Sequence, residues 1–467
     1  MDGARDPRSD ETTEQAGKAL AASGVAVRAA GADDVVAGVP PRWVALPETA
    51  EEIAAVLRVS EEHDLAVVPV GGGTKLHWGA PPSRCDVLLD TCCLNEVVEH
   101  EAGDLVVRAQ AGLTVEALAE ALAAKGQELA LDVPVPGTTI GGLVATAIAG
   151  PRRFRYGTVR DLLIGITVVL ADGTIAHAGG KVVKNVAGYD LGKLFTGSYG
   201  TLGVVADATF RLHPLPPSRT WAAASFARPV RSGPGGDASE EASAPEAVRL
   251  AGELHAALAA AAGSQAEPVA VELDWPDVTG PATVAVLVEG AASAERADAV
   301  RALLGPEART VGERPGWWGR LPSAPPPSRD GARAETDAGR DEEPPAGRGE
   351  TLLELRASPS RVAGALAAVH VTALETGTPA AVRGSAPAGV VHVALRADAG
   401  RTARFADALR ARVEAADGRL VVLSAPPEAA DGLDRWGRVG ALALMRRVKE
   451  RFDPGGRMSP GRFVGGI

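Results

Sequence analysis

The feature that most limits how this chain can fold is a set of three glycine-rich loops, each bordering a β-prone run. The first, Gly71-Gly72-Gly73-Thr74, follows directly on the apolar run Leu65–Val70. The second spans Pro136–Gly142, and the third spans Gly188–Gly203, just before the run Val204–Leu212. Glycine reaches positive φ and lets a backbone come close to a neighbour. Successive amides in such a turn converge where an anion can sit. The first loop therefore suits a pyrophosphate, with the Thr74 hydroxyl as a further donor. Taken alone, it equally suits an ordinary structural turn. No GxGxxG follows Val70, since Leu76 stands two residues beyond Thr74, and GxxxxGK[ST] is missing too. An NAD-type Rossmann site and an NTPase phosphate loop are thereby excluded.

Around these loops the pattern predicts alternating elements. Trp43–Leu46 reads as a strand. Pro47-Glu48-Thr49 precedes an apolar stripe at Ile53, Val56, Leu57 and Val59, which reads as a helix. Strands at Leu65–Val70 and Val87–Leu89 complete a β-α-β-loop-β opening. Leu105–Ala109 is a strand, and Thr114 caps a helix, Val115–Lys125, that stops at Gly126. Leu163–Leu170 is strongly β-prone, and Asp172-Gly173 signals a hairpin.

Beyond Pro216 the pattern predicts strands near 220–227, 269–274, 283–289, 351–356, 390–396 and 419–424. Helices are expected near 246–262, 293–304, 359–375 and 400–415. The fold class is α+β. The expected plan is a mobile N-terminal tail and lead-in (1–40), a ligand-binding domain (41–214), an α+β cap domain (215–446) and a C-terminal segment (447–467) that returns to the first domain. Two stretches of the cap, 228–246 and 320–350, are rich in Pro, Gly, Ser and charge and are expected to be disordered inserts.

At 467 residues the chain accommodates two or three domains. Its net charge of −11, without a basic tract, excludes nucleic acid as a partner. The opening, Met1–Gln15, is polar, and no apolar run nears the ~20 residues that span a bilayer. The expected location is the cytoplasm, with no direct membrane insertion and membrane association only through partners. Cys85, Cys92 and Cys93 form neither a disulfide framework nor the roughly four-thiolate set of an iron–sulfur cluster, and are read as packing residues.

The order and spacing of PVGGGTKLHWG, PGTTIGGLVAT, RYGTVRDLLIGITVVLADGT and KNVAGYDLGKLFTGSYGTLGVV carry more than any loop alone. This series resembles the FAD-binding domain of the vanillyl-alcohol oxidase and p-cresol methylhydroxylase family over residues 41–214. The resemblance implies a two-subdomain FAD-binding domain followed by an α+β cap. It implies that Gly71, Gly72, Gly73 and Thr74 wrap the FAD pyrophosphate. By the same token Pro136, Gly137, Thr139, Gly141 and Gly142 lie along the flavin and ribityl chain. Gly200, Gly203, Val204 and Val205 meet the cofactor through their backbone. Many relatives attach FAD through a His in or beside the first loop. Here His77 stands a few residues on and is read as a bystander, so FAD is expected to be noncovalent.

Two stretches, GGKVVKNVAGYDLGKLFTGSYGTLGVV and RVKERFDPGGRMSPGRFVGGI, are similar to the FAD-binding subunits of bacterial glycolate oxidases. That resemblance implies a small hydroxy-acid substrate, a larger FAD-containing catalytic subunit and an iron–sulfur subunit. There are departures. Leu143 and Ala147 stand where self-sufficient relatives have Asn, Tyr199 stands where they have Glu, and Ser459 replaces the usual Asn of the ending. No PxxHxxxxxxH pair occurs and no metal site is expected. His370 and His392 are isolated and read as core or surface.

Oxidising a 2-hydroxy acid requires a base for the hydroxyl proton and a cation for the carboxylate. Lys181, Lys184, Arg153, Arg155 and Arg160 flank the loops, and Lys184 is the strongest choice. Tyr189 is the candidate base, with Tyr156 and Asp190 as alternatives. Arg462 is expected near the cofactor domain. The weak base set favours an FAD subunit that works within a complex. The alternatives are a self-sufficient FAD-dependent oxidase of a 2-hydroxy acid or polyol, and an FAD-stabilised assembly scaffold without a redox step.

Overall fold

Local pattern decides most elements, and a computed structural model of the chain shows how they assemble. It describes residues 7–180, 190–226, 240–325, 349–430 and 432–467. The chain divides into two compact units. Unit 1 combines Met1–Ile148, Gly157–Leu215 and Val439–Ile467; unit 2 combines Ala149–Tyr156 and Pro216–Arg438.

Unit 1 contains two sheets. The first has four strands in the order Ala26–Ala29, Trp43–Leu46, Val87–Asp90, Val67–Val70. The outer pair is antiparallel and the rest parallel. Helix Ala50–Glu62 packs against it through Ile53, Ala54, Val56 and Leu57. Its start is fixed by Thr49, whose hydroxyl accepts from the Glu52 amide at 3.1 Å. The second sheet is antiparallel, in the order Val97–Glu101, Val106–Gln110, Val204–Arg211, Leu163–Val169, Ile175–Gly179. Its last two strands are joined by the Asp172-Gly173 hairpin, where Gly173 takes φ +79°. Thr114 caps helix Val115–Ala123 as the sequence predicts.

Unit 2 is built on an eight-stranded antiparallel sheet. Its order is Arg309–Val311, Arg219–Phe226, Ala282–Glu289, Ala270–Trp275, Ala380–Ser385, Val390–Leu395, Thr351–Arg356, Arg419–Ser424. Alternation gives it two unlike faces. Val271, Leu273, Val284, Val286, Val393 and Leu353 join a core with helices Glu240–Ala262, Ser293–Leu304, Val362–Thr376 and Ala399–Ala415. The intervening positions carry a row in register across four strands, Asp274, Arg383, His392 and Glu354. Arg383 pairs with Asp274 at 2.7 Å.

Some expectations need correction. Within 1–40, expected as a mobile tail and lead-in, Pro7–Ala21 is a helix that buries Ala16 and Leu20, and Ala26–Ala29 adds a strand to the first sheet. Parts of the stretches expected as disordered inserts, 228–246 and 320–350, are structured. Helix Glu240–Ala262 already covers 240–246. Leu321 and Ala324 are buried, and Glu350 accepts from the Ser323 hydroxyl and from Arg396. The remainder of both inserts lies outside the described residues. Strands Ala380–Ser385 and Arg309–Val311 escape the pattern, the first because its alanines carry little β preference. Cys92 and Cys93 are exposed rather than packed, and Cys85 alone is buried. Among the described residues no helix is long and apolar enough to cross a membrane.

The C-terminal segment is tied into unit 1 by a buried charge pair. Lys449 Nζ donates to Asp453 Oδ2 at 2.6 Å and to the carbonyls of Thr201 and Met458, each at 2.8 Å. Asp453 also accepts from the amides of Arg457 and Met458. Burial pushes the Lys449 ammonium below the usual lysine range, and Asp453 opposes the shift. Removing one member of a buried pair leaves the other charge uncompensated, at a cost of about 3–5 kcal/mol. Asp453→Ala is therefore expected to lower unfolding stability by that order, which chemical denaturation would measure. A loss under about 1 kcal/mol would mean that the segment is held mainly by its apolar contacts.

Candidate functional site

Strand Val67–Val70 runs straight into the first glycine loop. Gly73 has φ +66°, whereas Gly71 and Gly72 do not lie in the positive-φ region. Close approach explains those two. A Cβ on Gly71 would strike the Thr139 side chain, and one on Gly72 would strike the carbonyl oxygen of Gly137. The first and second loops are thus pressed together, backbone against backbone.

The second loop is held from the other side. Ile140 N donates to Leu113 O at 2.8 Å and Gly141 N to Ala111 O at 2.7 Å. Thr139 Oγ1 takes the Gly142 amide at 3.3 Å and caps the short helix Ile140–Thr146. The third loop meets that helix through Tyr199 N, which donates to Ala145 O at 2.9 Å. Tyr199 and Gly200 have φ +55° and +73°. A Cβ on Gly203 would come within 2.5 Å of the Val169 carbonyl oxygen, so this glycine allows the loop to enter strand Val204–Arg211.

The three loops enclose an open-mouthed cavity, a concave site of the kind that ligands occupy. Of the residues expected from sequence, Gly71, Gly72, Gly73, Thr74, Thr139, Gly141, Gly142, Gly200, Gly203, Val204 and Val205 line it. Pro136 and Gly137 do not. They stand behind the first loop, where the Gly137 amide donates to Glu116 at 3.1 Å. Among the described residues the amides of Gly72, Gly73 and Thr74 make no hydrogen bond to protein. Among the described residues neither Asp nor Glu lines the cavity. An anion is what such a lining can hold.

Three further residues complete the wall. Lys75 is 8% exposed, and burial pushes its amine down to about 8, with Glu116 opposing. Arg462 is buried and donates through Nη2 to the carbonyls of Leu76 (2.9 Å) and Trp78 (2.8 Å). The Tyr199 ring packs on Phe463, with centroids 5.5 Å apart. Lys75 gives no sign in the sequence, because a lysine after a glycine turn is ordinarily solvated. His77 lies outside the cavity lining.

Of the catalytic candidates, Lys184 and Tyr189, like Lys181, lie outside the described residues. Asp190 caps the helix Leu191–Phe195 and pairs with Lys193 at 3.2 Å. Arg160 is an exposed residue of unit 1. The remaining candidates belong to unit 2. Tyr156 donates to Glu289 at 3.1 Å, Arg155 lies 3.8 Å from Glu267, and the Arg153 guanidinium bonds the Ala149 carbonyl. His370 is buried against Trp275. His392 is buried 3.7 Å from Glu354, and desolvation pushes its pKa down to about 4.

Known proteins match this geometry in two ways. The family described as FAD binding domain matches residues 41–179. The mitochondrial D-lactate dehydrogenase [cytochrome] 1 of Saccharomyces cerevisiae is 39% identical over 189 residues, 40% of this chain and 32% of that protein. The glycolate oxidase subunit GlcD of Bacillus subtilis is 37% identical over 180 residues, 38% of each chain. The mitochondrial D-2-hydroxyglutarate dehydrogenase of Bos taurus is 39% identical over 171 residues, 36% of this chain and 31% of that protein. The chain thus spans about a third of the length of the curated relatives it matches.

In structure, the 4-ethylphenol oxidase of Gulosibacter chungangensis aligns with a TM-score of 0.66 and 15% identity, covering 99% of this chain and 98% of that one. p-Cresol methylhydroxylase aligns with a TM-score of 0.66 and 15% identity, covering 98% and 97%. The chain carries an FAD-binding domain, and its fold is of the vanillyl-alcohol oxidase and p-cresol methylhydroxylase type, as the sequence implies.

The contact between the first two loops gives a direct test. Gly72→Val is expected to yield folded protein that has lost nearly all flavin, because the added side chain forces Gly137 away and distorts the free amides. Flavin content and circular dichroism of the purified variant check this. Wild-type flavin content in a folded Gly72→Val protein would refute the arrangement.

Proposed function

We propose that this chain is an FAD-dependent oxidoreductase acting on the CH–OH group of a 2-hydroxy acid, and that it serves as the FAD-binding subunit of a glycolate-oxidising complex. The observation that carries the reading is the cavity itself. Three glycine loops and, among the described residues, free amides and a carboxylate-free lining occur in a chain whose matched relatives are named for D-lactate, glycolate and D-2-hydroxyglutarate.

Gly71, Gly72, Gly73 and Thr74 would hold the pyrophosphate. Thr139, Gly141, Gly142, Gly200, Gly203, Val204 and Val205 would contact the rest of FAD, with Pro136 and Gly137 supporting the loop from behind. Attachment is noncovalent in this reading, since the first loop offers no side-chain nucleophile beyond Thr74. Bound FAD supplies a hydride acceptor at its flavin ring. Lys184 is proposed to bind the substrate carboxylate, and Tyr189 to take the hydroxyl proton. The partners are a larger FAD-containing catalytic subunit and an iron–sulfur subunit. Three cysteines are too few for a cluster within this chain.

The purified protein is expected to be yellow and to release free FAD on acid precipitation. Flavin that stays with the denatured chain would overturn noncovalent attachment. Anaerobic addition of glycolate is expected to bleach the flavin when the chain is co-purified with its partners, and Lys184→Ala is expected to raise the glycolate concentration this requires. Full bleaching and dye reduction by the isolated chain would favour a self-sufficient enzyme. An active complex containing a flavin-free variant of this chain would favour a scaffold.

A further inference from the structure

We propose that Lys75 is an anion-binding residue of the cavity, its ammonium group contacting the diphosphate of the cofactor; the proposal rests on the FAD reading above. The surroundings of its amine lead there. Lys75 Nζ donates to Thr138 Oγ1 at 2.7 Å and to Thr74 Oγ1 at 3.0 Å. The Thr138 hydroxyl gives its own proton to the Val135 carbonyl at 2.6 Å, so towards Lys75 it can only accept. Both partners are neutral. Among the described residues no carboxylate lies within ion-pair distance of this amine. Glu116, from the helix Val115–Ala123, acts on it only at longer range.

A buried ammonium is costly unless an opposite charge compensates it. An ammonium has three protons to donate, and the two threonines take two. The third remains for an acceptor in a cavity that Lys75 lines. The same cavity receives the free amides of Gly72, Gly73 and Thr74. Arg462 brings a second positive charge from the C-terminal segment, and Tyr199 brings a phenol from the third loop. Among the described residues the lining therefore gathers donors and cations with no anion of its own. A diphosphate supplies what is missing, and the loop amides and Lys75 would share its oxygens. The flavin ring, being uncharged, does not.

The sign of the pH dependence follows. Burial holds the Lys75 amine at about 8 in the ligand-free cavity. An anion binds the ammonium form, so affinity is full below about pH 8 and falls above it by up to about tenfold per pH unit. Riboflavin lacks the diphosphate and should show neither effect.

The test uses the full-length chain stripped of flavin. Dissociation constants for FAD and riboflavin are measured by fluorescence quenching between about pH 7 and pH 9.5, for wild type, Lys75→Met and Lys75→Gln. Gln keeps a polar contact with the two threonines if Met proves too apolar for folding. The expected result is FAD affinity about tenfold or more weaker in either variant at neutral pH, with the wild-type pH slope abolished and riboflavin affinity unchanged. Equal loss of riboflavin affinity would show that Lys75 only packs the cavity, and unchanged FAD affinity would show that it plays no part. Either overturns the proposal and leaves the FAD reading standing. A wild-type chain that takes up neither flavin removes the FAD reading together with the proposal.

Discussion

The buried pair of Lys449 and Asp453 joins parts of unit 1 that the chain itself keeps far apart. Lys449 reaches the carbonyl of Thr201, 248 positions away, in the loop that forms one wall of the cavity. Asp453 takes the amides that shape the turn into Arg457 and Met458. That turn then lies beside the strand leading to the first glycine loop. Val67 N donates to Arg457 O and Ser459 N to Val67 O, both at 2.9 Å. One ion pair thereby fixes the third loop, the C-terminal segment and the base of the first loop relative to one another. Such a pair gains little stability over an apolar replacement. Its partners lie in the third loop and in the turn that borders the first, so its contribution here is geometric.

Close backbone contact does the rest. Gly71 and Gly72 are glycine because Thr139 and Gly137 leave no room for a side chain. The second loop backs the first closely, and among the described residues the amides of Gly72, Gly73 and Thr74 bond no protein acceptor. The short helix Ile140–Thr146 spends its first amides on Ala111 and Leu113, and so serves as a brace rather than as an anion site. Charge then accumulates on one side only. Lys75 and Arg462 reach the cavity from separate segments, and the nearest acidic influence, Glu116, is occupied behind the loop by Gly137.

Unit 2 solves a different problem with the same alternation rule. The apolar positions of its sheet form the core with four helices, and the positions between them align Asp274, Arg383, His392 and Glu354 into a cross-strand row. Charges of opposite sign facing each other across strands offset part of the cost of burial. Desolvation keeps His392 neutral at physiological pH despite Glu354 beside it. The row thus accounts for His392 as a structural residue, while His370 is filled in against Trp275.

The sequence by itself determined the elements whose signals are local. Thr49 and Thr114 announce their helices through capping, Asp172-Gly173 announces its hairpin, and the apolar runs at Leu65–Val70 and Val204–Leu212 announce the strands that carry the glycine loops. The motif series identified the FAD-binding domain for the same reason, since loop composition and spacing are written along the chain. Tertiary structure alone decided what depends on packing between distant segments. Ala380–Ser385 becomes a central strand because Ala270–Trp275 and Val390–Leu395 flank it, not because its alanines prefer it. Pro7–Ala21 is ordered because Ala16 and Leu20 find a core. Lys75 looks like any surface lysine until Thr138, 63 positions away, closes over its amine. Burial, and with it charge state, is a property of neighbours brought together in space, which no local pattern of residues encodes.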